Sequence, residues 1–175
     1  MIEFGYDTDR AQNATLWLLK QHGPLDHIKL LKLVLLADLE HLARYGRPIV
    51  GGQYFAMEHG PVASELYDEL KLRQIHGTTA VNDFTLRGVE DPNEDHLSET
   101  DLEVLREINE KFGAWDRYRL SDFTHTLEAW KKNYKGEAGG KRSYRIPYED
   151  LLQERLDEDM LALVIDAQHG EQILG

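Results

Sequence analysis

One helical segment constrains the fold of this chain more than any other feature. Residues 26–45 read DHIKLLKLVLLADLEHLARY, in which Asp26 can cap the start of a helix and Gly46 can end it. Apolar side chains from Ile28 to Leu42 cover most of the helix circumference. A surface helix carries a single apolar stripe, so this pattern predicts a helix that is buried on more than one side.

The rest of the chain predicts a mainly α fold. Start and stop signals indicate further helices at residues 7–22, from Pro61 onward, from Ser98 to Gly113, from Ser121 to Trp130 and from Pro147 onward. Residues 49–57, IVGGQYFAM, predict a hairpin that turns at Gly51-Gly52, and residues 84–89 predict an edge strand. A length of 175 residues fits one domain. We therefore expect a single compact multi-helix domain with a small β-hairpin over residues 1–175.

The composition limits the classes of protein to which the chain can belong. It contains no cysteine, which rules out a disulfide framework and a thiolate zinc site. The first residues, MIEFGYDTDR, lack the features of a signal peptide, and no apolar run approaches the roughly 18–20 residues of a membrane span. A cytoplasmic protein without a membrane partner is the expectation.

The charge is strongly negative and unevenly distributed. The net charge of −12 disfavours direct binding of nucleic acid, because phosphate backbones repel an acidic surface. Residues 90–110 carry nine acidic side chains against one basic one, whereas residues 131–145 carry six basic side chains against one acidic one. Two interpretations of the acidic block remain open: a solvated face, or a surface that steers a basic protein partner.

The sequence gives little support for catalysis. Asp38 and His41 are three residues apart on one helix, and with His59 or His125 they could form a metal site. A small metal-dependent hydrolase is therefore one hypothesis. However, the HExxH and GxSxG motifs are absent, and a helix-surface position near a helix C-terminus is the simpler explanation of His41. We expect no catalytic residue, no metal and no cofactor.

Several motifs resemble one known family. KLLKLVLLADLEHLARYGRPIVGGQYFAMEHGPVASELYDELK (residues 29–71) resembles the core of the Panacea or SocA-like antitoxin domain. LSETDLEVLREINEKFG (97–113), LSDFTHTLEAWKK (120–132) and IPYEDLL (146–152) follow in the order typical of that family. The resemblance covers about residues 8–155, and residues 157–175 form an extra tail that we expect to be helical. His59 departs from the pattern, since an aromatic residue commonly precedes the Gly-Pro pair.

The resemblance implies an antitoxin of a bacterial or prophage toxin–antitoxin system. Members of this family neutralise a co-encoded toxin by binding it directly, and at least one branch instead acts as a proteolytic adaptor that presents its toxin to a host ATP-dependent protease. Both are binding functions that need no catalytic residue. A general protein-interaction module without a toxin is a further alternative.

The His59-Gly60-Pro61 segment is the central functional question of the sequence. Gly60 suits a close turn and Pro61 suits the first turn of a helix, so the segment can serve architecture alone. If it is functional, its neighbours combine aromatic and charged groups of the kind found in protein interfaces. On that hypothesis the partner-binding residues are Tyr54, Glu58, His59, Glu65 and Tyr67. Tyr54 and His59 are expected to be at least partly exposed.

Overall fold

The computed structural model describes residues 2–154, and helices predominate in it. The α-helices are α1 (Thr8–His22), α2 (His27–Tyr45), α3 (Ser64–Lys71), α4 (Glu99–Phe112), α5 (Arg117–Thr124), α6 (Glu128–Asn133) and α7 (Tyr148–Leu151). The strands are β1 (Leu25–Asp26), β2 (Tyr54–Met57), β3 (Gly60–Ala63), β4 (Thr78–Asn82), β5 (Thr85–Gly88) and β6 (Tyr144–Ile146). A 3-10 turn spans Glu94–His96.

Helix α2 is the centre of the fold, as its sequence predicts. It packs against α1, α3, α4, α5 and β3, and its side chains from Leu30 to Leu39 are all buried. The Asp26 side chain accepts a hydrogen bond from the Lys29 backbone nitrogen at 2.8 Å, and Gly46 ends the helix in a left-handed conformation. The burial includes polar side chains, because other elements cover α2 on every side.

The prediction of a single small hairpin is incomplete. Two three-stranded antiparallel sheets form, with strand orders β1-β5-β4 and β3-β2-β6. The fold is therefore mixed α/β with a helical majority. The strand predicted at 84–89 is present as β5, but it lies in the middle of the first sheet, so its predicted edge position is wrong; β1 and β4 form the edges. Strands β1 and β6 pair across large sequence separations, which local patterns cannot indicate.

The predicted hairpin at 49–57 is displaced along the chain. The backbone N–H groups of Ile49 and Val50 bond to the buried Asp38 carboxylate, at 2.9 and 3.0 Å, instead of to a strand. The actual hairpin joins β2 to β3 through the two-residue turn Glu58-His59. Pro61 consequently lies within β3, and α3 begins only at Ser64. The predicted helix start at Pro61 is wrong.

Helix capping was predicted with mixed success. Ser98 and Asp101 form a capping box at the start of α4, where the sequence predicts that a helix begins. The single helix predicted from Ser121 to Trp130 is instead the pair α5 and α6, and Asp116 caps the first of them.

The extra tail predicted at residues 157–175 lies outside the described residues. None of the helices between residues 2 and 154 has the length and apolarity needed to cross a membrane.

Candidate functional site

The β2–β3 hairpin is held in place by three side chains that bind its backbone carbonyl groups. They come from α2, from the residue after α5 and from α6. The bonds run from Trp130 Nε1 to the Met57 oxygen (2.7 Å), from His125 Nε2 to the Glu58 oxygen (2.7 Å) and from Lys32 Nζ to the Pro61 oxygen (2.8 Å). The ring of His125 also packs edge-on against Trp130 with centroids 4.5 Å apart. The turn at the tip of the hairpin is therefore positioned by the body of the protein.

Gly60 is the tightest point of this arrangement. Its φ of +108° is one that other residues rarely adopt, and a β-carbon there would lie 2.6 Å from Thr124 Oγ1 and 2.8 Å from Lys32 Nζ. Thr124 is fully buried and cannot move aside freely. Gly60 thus allows the hairpin backbone to approach α2 and α5 closely.

Lys32 is a charged residue in the interior of the protein. Its side chain is 1% exposed, and within residues 2–154 the Pro61 oxygen is its only hydrogen-bond acceptor. Burial lowers the pKa of the Lys32 ammonium to about 7, because the charged form loses its hydration. A buried lysine is uncommon, because an apolar residue would fill the same space without the free-energy cost of removing a charged group from water.

An apolar groove of about 320 Å³ runs alongside the hairpin. Its floor and walls come from α2, the β2–β3 hairpin, α3 and the turn between β4 and β5. Its apolar lining comprises Ile28, Leu31, Met57, Val62, Tyr67, Leu70 and Phe84. Lys32 contributes to the wall, while His27, His59, Gly60, Lys71 and Asp83 complete the lining. Phe84 is 71% exposed at the rim.

The structure brings together only some of the residues that the sequence indicates. His59 and Tyr67 both line the groove, and Glu58 is exposed beside them on the hairpin tip. Glu65 lies elsewhere, since its carboxylate accepts a hydrogen bond from the Gln53 backbone nitrogen at 2.9 Å and lines a cleft near the N-terminal segment. The five predicted residues therefore do not form one continuous surface.

The expected exposure of Tyr54 is wrong. Tyr54 is 1% exposed, and its hydroxyl group donates to the Asp38 carboxylate. Its ring packs edge-on against Tyr148 with centroids 5.6 Å apart. Residues alternate between the two faces of a strand, and in β2 it is Tyr54 and Ala56 that point into the core. Tyr54 therefore stabilises the hairpin from the core side of β2, through its contacts with Asp38 and Tyr148.

The residues of the hypothetical metal site have other partners. Asp38 binds two backbone N–H groups and the Tyr54 hydroxyl, and its pKa is raised to about 7 by burial despite these donors. His125 holds the Glu58 carbonyl group. Among residues 2–154, no group of three or more histidine, aspartate or glutamate side chains is placed to bind a metal ion.

His41 is buried, which corrects its predicted surface position. It is fully covered, and its Nδ1 and Nε2 atoms lie 2.7 Å from the Arg47 oxygen and 2.9 Å from Thr100 Oγ1. Asp101 Oδ1 is 3.2 Å from the same Nε2 atom. Desolvation lowers the pKa of His41, so the neutral ring is favoured in the fold. The residue links α2 to the start of α4.

The acidic block of residues 90–110 is not one uniform solvated face. Asp101 is buried and binds Arg47 at 2.9 Å. Glu103 and Glu107 approach Arg44 on α2, and Glu103 also accepts a hydrogen bond from the Tyr45 hydroxyl. Part of the acidic charge therefore stabilises the packing of α4 on α2.

The sequence gives little sign of the roles of Lys32 and Thr124 beside the hairpin. The only local signal is a lysine inside a run that is apolar around the whole helix, KLLKLVLL, where no solvated face is available for it. The roles of His125 and Trp130 depend on contacts with residues about 70 positions away in the sequence, as their separations of 67 and 73 show. Spacing alone cannot reveal such contacts.

The family described as antitoxin SocA-like, Panacea domain, matches residues 30–131 of this chain. The match covers more than half of the chain, and the chain belongs to this family. It runs from within α2 to within α6, and contains Lys32, the β2–β3 hairpin, Trp130 and the groove lining except His27 and Ile28. No curated protein and no solved structure matches the chain significantly.

Proposed function

We propose that this protein is an antitoxin that neutralises a co-encoded toxin by binding it directly through the face that carries the β2–β3 hairpin. The observation that carries the proposal is the anchoring of three hairpin carbonyl groups by Lys32, His125 and Trp130. Family membership supports the antitoxin role in general, and the anchored hairpin supplies the surface.

A prepositioned surface favours direct binding for an energetic reason. Ordering loops on association consumes part of the binding free energy, whereas a hairpin that is fixed during folding avoids this loss. The exposed side chains of Glu58 and His59 project from this fixed tip. Tyr67 and Phe84 add aromatic surface nearby, and aromatic residues dominate many binding hot spots.

The proposed role requires no chemical step by this chain. Polar side chains near the hairpin are used in structural contacts: Lys32 and His125 hold carbonyl groups, and Asp38 holds the backbone before β2. Binding alone is sufficient to block a toxin, either by covering its active site or by holding it in an inactive conformation.

Co-expression tests this proposal. The toxin encoded beside this protein is expressed with and without the full chain, growth is measured, and the two proteins are co-purified. We expect rescue of growth together with a stable complex. Rescue without a complex, or rescue that disappears in a host lacking ATP-dependent proteases, would refute direct neutralisation and support the adaptor alternative.

His59→Ala and Glu58→Ala provide a surface-specific version of the same test. Both side chains are exposed, so the fold should be retained. We expect the double variant to weaken the complex, while the matched pair His96→Ala and Glu94→Ala, on the 3-10 turn, should bind as the unmodified chain does. Equal binding by the two pairs would show that the hairpin tip is not in the interface.

A further inference from the structure

The groove beside the hairpin is apolar inside and is lined by basic groups, although the protein as a whole is acidic. The whole chain has a net charge of −12. Lys32, Lys71, His27 and His59 nevertheless all line this one groove. Its single acidic residue, Asp83, is paired with Arg73 at 3.0 Å. The lysines and the Arg73 partner of Asp83 therefore leave this groove without the excess of acidic groups that the whole chain carries.

We infer that this groove binds a short apolar segment of the toxin that carries a carboxylate group, with the carboxylate directed to the lysines of the lining, Lys32 and Lys71. This inference rests on the proposed antitoxin function and specifies the chemistry of the partner. Large apolar side chains of the segment would pack on the lining, and Phe84 at the rim would cover them.

The apolar lining sets the first requirement for the occupant. Leu31, Val62 and Leu70 form buried parts of the groove, while Phe84 leaves 71% of its surface in solvent. A solvent-exposed phenylalanine next to an apolar groove gains free energy when a partner covers both. An aliphatic or aromatic side chain of the partner satisfies this requirement.

The two lysines set the second requirement for the occupant. An ammonium group has three N–H donors, and the Pro61 oxygen occupies one donor of Lys32. A carboxylate that enters the groove would supply an acceptor and an opposite charge in a poorly solvated place, where such an interaction is strong. Lys71 is exposed at the same groove, with its ammonium nitrogen 6.0 Å from the centre of the Tyr67 ring, and would attract the same group.

The first arm of the test compares exposed variants of the full chain by their affinity for the purified toxin. Phe84→Ser should weaken the complex tenfold or more, whereas Tyr118→Ser, which changes a 66% exposed aromatic residue on α5, should change it less than twofold. Lys71→Glu should weaken it about tenfold, whereas Lys20→Glu on α1 should not. If the complex forms and all four variants bind equally, the groove is not the docking site and the antitoxin function stands.

The second arm identifies the carboxylate. Overlapping 15-residue peptides that cover the toxin sequence are tested for binding, and Asp or Glu in each bound peptide is replaced by Asn or Gln. We expect the replacement to weaken binding to the unmodified chain tenfold, and to have little further effect on the Lys32→Met or Lys71→Gln variant. Equal losses in all three proteins would overturn the proposed pairing.

The remaining outcomes separate this inference from the function on which it rests. If the unmodified chain neither binds the toxin nor rescues growth, the antitoxin proposal fails and the inference fails with it. If Phe84→Ser abolishes self-association of the free chain in sedimentation experiments but leaves toxin affinity unchanged, the groove binds a second copy and the inference alone is refuted.

Discussion

The ammonium nitrogen of Lys32 lies 2.8 Å from the carbonyl oxygen of Pro61, and this bond joins the central helix to β3, one of the two edge strands of the second sheet. An edge strand presents unpaired backbone groups, and covering the edge with a helix is one way in which proteins block further pairing. Here Lys32 of α2 donates a hydrogen bond to the Pro61 oxygen of that edge strand, inside the protein. The same contact fixes the hairpin and places a basic group beside the groove.

Substitution of Gly60 should reveal how tightly the hairpin is packed. We expect Gly60→Ala to lower the free energy of unfolding by about 1–3 kcal/mol more than Gly46→Ala, because overpacking adds to the cost of a positive φ. Gly46 has a φ of +76°, but a β-carbon at that position would meet nothing within 4 Å, so it controls for backbone strain. Denaturant unfolding of both variants measures the difference. Equal losses would mean that Thr124 and Lys32 adjust without cost.

Lys32 should make the stability of the protein depend on pH above neutrality. Its pKa is about 7 in the fold and 10.5 when unperturbed, so between these values the unfolded chain binds a proton that the folded chain does not. The free energy of unfolding should therefore rise with pH in this window, by at most about 1.4 kcal/mol per pH unit from this group. The contribution is lost as the pH falls toward 7.

Comparison with Lys32→Met isolates this effect. Groups that titrate identically in both proteins cancel in the difference between their unfolding free energies. We expect the difference to shift in favour of the unmodified chain as the pH rises from 7 to 10. Lys71→Met, at an exposed position, should give a curve parallel to that of the unmodified chain. A parallel curve for Lys32→Met would show that Lys32 keeps its ordinary pKa in the fold.

Local sequence patterns predicted three of the helices well: α1, α2 and α4. The apolar circumference of residues 28–42 correctly indicated the buried α2, and Asp26 and Ser98 cap helices at the predicted starts. These features depend on neighbours within one or two helical turns. Such interactions are visible in the order of residues along the chain.

The hairpin and its site could be predicted only in part. Asp38 binds the Ile49 and Val50 amides, which removes them from strand pairing and displaces the hairpin toward Glu58-His59. That shift decides which face Tyr54 occupies, because successive side chains point to opposite faces of a strand. Exposure of His59 was predicted correctly. The burial of Tyr54 could not be predicted in this way, because it depends on a contact with Asp38, 16 residues earlier in the chain.

Tyr54 should be important for stability and not for direct contact with a partner. Tyr54→Phe removes the hydroxyl group that donates to buried Asp38, and depriving a buried acceptor of its partner typically costs about 1–3 kcal/mol. Tyr118→Phe makes the same chemical change at a 66% exposed position and should be neutral. Thermal and denaturant unfolding measure both. Neutrality of Tyr54→Phe would contradict the assigned role of the Asp38–Tyr54 hydrogen bond.

His125 should control the order of the hairpin tip more than the stability of the whole protein. His125→Ala removes the hydrogen bond to the Glu58 oxygen, but that bond is exposed, so water can replace it. We expect a loss of at most about 1 kcal/mol in the free energy of unfolding. Amide exchange around residues 57–60 should nevertheless become faster, because the tip opens more easily.

His96→Ala, at an exposed position on the 3-10 turn, should leave exchange in the hairpin unchanged. Because the proposed interface depends on a fixed tip, toxin affinity should fall along with the exchange protection. Unchanged protection of residues 57–60 in His125→Ala would show that Trp130 and Lys32 hold the hairpin without it.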